Sequence, residues 1–99
     1  MTKYTLYVGL NDKDTKKQEI PTNGALLMLA QYLKDATVQE CTGFYTHENG
    51  EFIIEKSLKV EKLDFSGTFD VFAAIRDLKI IFNQESIAVE SVECNSKLV

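Results

Sequence analysis

The stretch TVQECTGFYTHENGEFIIEKSLKVEKL, residues 37–63, decides the fold. Apolar and polar side chains alternate along both of its halves, the period of a half-buried strand, and Glu48-Asn49-Gly50-Glu51 stands between them. Asn-Gly tolerates the positive φ of a two-residue type I′ turn, so the segment reads as a β-hairpin. Pairing Glu48 with Glu51 sets His47 opposite Phe52, Tyr45 opposite Ile54 and Cys41 opposite Leu58, and these share an apolar face with Val60. The other face gathers Val38, Glu40, Thr42, Phe44 and Thr46 with Ile53, Glu55, Ser57, Lys59 and Glu61.

Toward the N-terminus, Tyr4-Thr5-Leu6-Tyr7-Val8 is a β-branched and aromatic run closed by Gly9, a strand with Leu6 and Val8 on one face and Thr5 and Tyr7 on the other. The charged residues 11–19 carry no apolar period and read as a solvated loop. In 25–35, Leu26, Leu29, Ala30 and Leu33 follow the spacing of a buried helical stripe that Thr22 or Asn23 can cap. Beyond the hairpin, Ser66-Gly67-Thr68 offers a second cap, before a stripe of Val71, Ile75, Leu78 and Phe82. Asn83-Gln84-Glu85 ends that helix, 86–92 alternates as a last strand, and 94–99 is a loose tail.

The order βαββαβ predicts an α+β, ferredoxin-like domain over residues 1–99, with two helices covering one face of a four-stranded antiparallel sheet. Right-handed crossovers give the strand order fourth, first, third, second. Cys41 and Cys94 then sit on opposite edges, too far apart for a disulfide. The chain of 99 residues, 44% hydrophobic with one proline, suits one core and excludes disordered and low-complexity classes. A net charge of −4 argues against nucleic acid and anionic membranes as partners. No apolar run approaches the ~20 residues of a membrane span, and 1–6 has no export segment, so the expected location is cytoplasmic.

Four short motifs resemble those of a small bacterial family of unknown function. They are Leu6-Tyr7-Val8-Gly9; Thr37 with Gly43 and Tyr45; Glu55-Lys56-Ser57; and Phe82-Asn83-Gln84-Glu85-Ser86-Ile87, which together span roughly residues 4–90. Tyr45 stands where tryptophan is frequent in that family. The resemblance implies a fold and a place for a site, and no activity. It points to Tyr7, Glu55 and Ser57 on the open sheet face, with Gln84, Glu85 and Ser86 at its top edge beside Gly9, as ligand- or partner-binding residues. The structural alternative is that Glu55 pairs with Lys59, two positions along the same face, and that Gln84 and Glu85 only end a helix.

No constellation demands catalysis. His47 is the single histidine, on a hairpin tip where a water-excluding site is unusual, although Glu48 could orient it as a base. In Asp12-Lys13-Asp14 the next calcium-ligand position is Lys16, and the cysteines lack Cys-x-x-Cys spacing, so neither a metal nor a cofactor is expected. Phe44, Ile53 and Val92 would expose apolar area on the open face and are the expected interface of a homo-oligomer. The leading expectation is therefore a cytoplasmic, non-enzymatic binding module that self-associates through this face and has a possible protein partner. One alternative is a small enzyme with a pocket shared between subunits, using Glu55 or His47 as acid or base. Another is a phage or mobile-element regulator that inhibits a host protein.

Overall fold

The structure is a computed structural model that describes residues 1–46 and 48–99; the expectations for His47 lie outside the described residues. Its elements are β1 (Thr2–Gly9), α1 (Thr22–Leu33), β2 (Thr37–Thr46), β3 (Phe52–Asp64), α2 (Val71–Ile81) and β4 (Ala88–Glu93). The four strands form one antiparallel sheet in the order β2-β3-β1-β4, the ferredoxin-like arrangement read from the element order. The core lies between one sheet face and the helices. Leu6 and Val8 of β1 and Leu58 and Val60 of β3 meet Leu29 and Leu33 of α1 and Val71, Ala74 and Leu78 of α2. Leu6 pairs with Val60 and Val8 with Leu58, so β1 and β3 deliver their alternate side chains to the same layer.

The helices end differently from the sequence expectation. Thr22 and Asn23 do not cap α1: the helix begins at Thr22 after Pro21 without a side-chain cap, and Thr22 Oγ1 accepts Gln18 Nε2 instead. At α2 the cap is Asp70, which accepts the Ala73 N–H at 3.0 Å. The segment Ser66-Gly67-Thr68 before it is held by the buried Asp64 carboxylate, which accepts the N–H groups of Gly67 and Phe69. The end of α2 is a Schellman closure. Asn83 takes φ +46, Gln84 N–H reaches Lys79 O and Asn83 N–H reaches Ile80 O.

The hairpin register differs by one residue from the expected one. Cys41 pairs with Ser57, Gly43 with Glu55, Phe44 with Ile54 and Tyr45 with Ile53. A type I′ turn needs positive φ at Asn49 as well as Gly50, and only Gly50 has it (φ +86), so the connection is not the two-residue turn. One slip exchanges the two faces of β2. Cys41 therefore lies on the open face, and Phe44, expected there as an interface residue, lies on the helix side. Neither helix reaches that far along the hairpin arm, so Phe44, Phe52 and Ile54 stay 72%, 59% and 61% exposed, with the Phe44 and Phe52 rings 6.1 Å apart. Ile54 is thus in solvent rather than under the helices. Ile53 and Val92 stand on the open face as expected.

Candidate functional site

Because Gly9 pairs with Ser57, β3 runs on past the end of β1, and Glu55 stands two residues beyond that last rung on the open face. The chain leaving β1 turns away at Leu10, whose N–H still bonds Lys56 O. The next donor, Asn11 N–H, is taken by Glu55 Oε2 at 3.0 Å. The carboxylate can come that close because Gly9 has no side chain. A methyl group at Gly9 would overlap Glu55 Oε1 and lie 2.7 Å from Glu55 Cδ and 2.9 Å from Gln84 Oε1. Gly43, opposite Glu55 on β2, leaves similar room, since a methyl there would stand 3.2 Å from Ser57 Oγ.

Around Glu55 a groove of about 540 Å³ opens at this end of the sheet. Tyr7 and Ser57 form its floor with Glu55, Tyr45 and Ile53 line the side nearer β2, and Gln84, Glu85 and Ser86 line the side leading into β4. All six residues expected to bind a ligand or partner, Tyr7, Glu55, Ser57, Gln84, Glu85 and Ser86, therefore line one depression. Of the expected interface residues, Phe44 and Ile53 also line it and Val92 does not. Glu55 does not pair with Lys59, which instead meets Glu61 at 3.6 Å. Gln84 does more than end a helix: its Nε2 donates to Asn11 O at 2.6 Å, so Gln84 and Glu55 hold the two backbone polar groups of the same residue.

The groove is electrostatically uneven. Tyr45 has its phenol pKa pushed up by burial and by the carboxylates of Glu55, Glu85 and Glu51, so it stays neutral and remains a donor. On the floor, Tyr7 Oη donates to Glu90 Oε1 at 3.0 Å, and that bond raises its pKa as well. Cys41 Sγ donates to Ser57 O, which gives the thiol a backbone partner and no base. Among the described residues, no group of three or more His, Cys, Asp or Glu is arranged to hold a metal ion.

The loop over the top of the groove was expected to be merely solvated. It is a closed turn: Asn11 and Gln18 form a bridge, Asp12 N–H bonds Lys17 O, and Asp12 Oδ1 accepts the N–H groups of Asp14 and Thr15. It brings Asn11, Asp12, Lys13 and Lys16 to the groove, none of them among the expected site residues. The Asp at position 12 was the available signal, since an aspartate commonly bonds the backbone two residues on.

No helix among the described residues is long and apolar enough to cross a membrane. No family model matches the chain, and no curated protein matches it. Among solved structures, it is similar to a phage SAM lyase in complex with S-methyl-5′-thioadenosine, at 25% identity and a TM-score of 0.76, with 93% of this chain and 80% of that one covered. A phage SAM lyase in the apo state superposes at 24% identity and a TM-score of 0.71, over 92% of this chain and 78% of that one, and bears on the fold alone. The first of these neighbours is a lyase with its ligand bound, and the expectation of a non-enzymatic binding module is corrected on that ground. Of the two alternatives, the enzyme gains support. The phage regulator shares only its phage setting with them and gains nothing for inhibition of a host protein.

Proposed function

We propose that this chain is a lyase of an adenosyl sulfonium, which binds S-adenosylmethionine in the groove around Glu55 and releases S-methyl-5′-thioadenosine. The observation that carries this reading is the likeness to a phage SAM lyase holding that thioadenosine, extending over 93% of the present chain. The charge of the groove agrees with it. Glu55 and Glu85 supply carboxylates beside a neutral Tyr45, an environment that favours a cation over a neutral thioether. In the reaction the bond from sulfur to the four-carbon amino-acid chain breaks, and its electron pair neutralises the sulfonium. The carbon chain completes its valence without water, by closing on its own carboxylate or by losing a proton.

Positioning is then the main task of the protein, because the leaving group is already activated by its charge. Glu55 is the central residue of the proposal. Its Oε2 is fixed by Asn11, while Oε1 lies against bare Gly9, where it can counter the sulfonium or take a proton. A homo-oligomer belongs to the same reading. A ligand site normally buries most of its ligand, and a second copy across the mouth, where the groove-lining Tyr45 is 45% exposed, would supply the missing wall. Cytoplasmic location and kinship with the small bacterial family whose motifs these residues resemble are further parts of the proposal.

The test is turnover without any added co-substrate. Purified protein incubated with S-adenosylmethionine is expected to produce S-methyl-5′-thioadenosine, and Glu55→Gln, which keeps an oxygen for the Asn11 N–H but removes the charge, is expected to lose 10²-fold or more in rate. Intact S-adenosylmethionine after long incubation with folded wild type would reject the proposal.

A further inference from the structure

Resting on that reading, we propose that Lys16 sets the specificity of the groove by taking the α-carboxylate of the ligand's amino-acid part. S-adenosylmethionine carries two cationic groups, the sulfonium and the ammonium, and one anionic carboxylate. A groove floored by Glu55 suits the first kind of charge and leaves the carboxylate without a partner. The residues that can supply one are on the 11–18 turn, where Lys13 and Lys16 both line the groove.

Two observations favour Lys16 over Lys13. Lys13 adds the smallest share to holding down the pKa of its chain neighbour Asp12, after Asn83 and the Thr15 and Asp14 N–H groups, and its backbone N–H is tied to Asn83 O at 3.0 Å. Neither lysine has a carboxylate within ion-pair distance among the described residues, so the choice between them rests on the turn; the side-chain cations that are paired are Lys56, Lys59 and Arg76. Lys16 holds φ +63, a conformation costly for a residue with a Cβ, and its N–H closes the turn on Asp12 O at 2.8 Å. The turn is rigidly seated, since Asn83 Nδ2 donates to Asp14 Oδ2 at 2.8 Å and Glu55 and Gln84 grip Asn11. The carboxylate that faces the ligand's sulfur and the lysine at the mouth are thus parts of one hydrogen-bonded unit, which fixes the separation between the two charges of opposite sign.

The test compares binding of S-adenosylmethionine and its decarboxylated form to wild type, Lys16→Met and Lys16→Arg by calorimetry, with a thermal melt of each variant. Wild type is expected to bind the decarboxylated form about tenfold more weakly, the weight of one charge-assisted contact. Lys16→Met is expected to lose about tenfold toward S-adenosylmethionine and nothing toward the decarboxylated form, with Lys16→Arg restoring the preference and all melts unchanged. A preference that survives Lys16→Met, or a wild type that binds both compounds equally, overturns the role of Lys16 alone. A folded wild type that binds neither overturns the functional reading with it.

Discussion

Replacing Gly9 by alanine tests the packing that seats Glu55. Gly9 lies in β1 opposite Ser57, and positive φ among glycines occurs only at Gly50 and Gly67, so the new methyl group brings no backbone strain. It brings overlap with Glu55 Oε1 and close approach to Gln84 Oε1 at 2.9 Å. Both neighbours are ends of flexible side chains, so they swing away rather than unfold the sheet. What is lost is the Asn11 N–H bond to Glu55 and the Gln84 bond to Asn11 O. A charge-assisted bond contributes about 1.5–3 kcal/mol and a neutral one about 0.5–1.5 kcal/mol. Both are partly solvated here, which favours the lower ends and a total of about 1–3 kcal/mol. In a domain of this size that lowers Tm by roughly 5–15 °C. The decisive assay is a double-mutant cycle of denaturant unfolding with Gly9→Ala and Glu55→Ala. With the carboxylate gone the methyl group has room, so the two changes are expected to couple by about 1 kcal/mol or more. Additivity within ~0.5 kcal/mol would refute the account of why a glycine stands at position 9.

Other outcomes follow from the same structure. Leu58→Ala, at a fully buried position of the core, is expected to cost about 2–5 kcal/mol in a denaturant titration. Asp70→Ala removes the cap of α2 and is expected to cost about 1 kcal/mol, with Asp70→Asn close to wild type in the same experiment. Tyr7 has its folded pKa raised, first by its bond to Glu90. Its contribution to stability is therefore complete below the unfolded phenol value near ~10 and lost as pH rises through the folded value, so Glu90→Gln should weaken the alkaline fall in stability. An unchanged alkaline melt series for Glu90→Gln would contradict that bond.

The sheet order and the core were legible because many residues repeat the same signal. In β3, Leu58 and Val60, alternating with Ser57, Lys59 and Glu61, fix which side faces the helices, whatever β2 does. Glu55 inherits its outward direction from that strand, which is why Tyr7, Glu55 and Ser57 could be placed together. The face of β2 hung instead on one turn, and β2 carries no correcting pattern: Cys41 and Tyr45 on one side and Val38 and Phe44 on the other are almost equally apolar. The slip at Asn49-Gly50 therefore went unopposed and misplaced Cys41, Phe44 and Tyr45. The lysines over the groove were illegible for a different reason. Their position depends on Asn83 holding Asp14 across 69 residues of chain, a contact with no local period to announce it.

The central claim is that the depression around Glu55 is where a thioadenosine binds, and amide chemical shifts recorded during titration with S-methyl-5′-thioadenosine address it most directly. Saturable shifts are predicted at Gly9, Asn11, Gly43, Glu55 and Ser86, with the far end of the sheet near Leu63 and Asp64 unmoved. Shifts confined to that far end, or none at millimolar ligand, would contradict it.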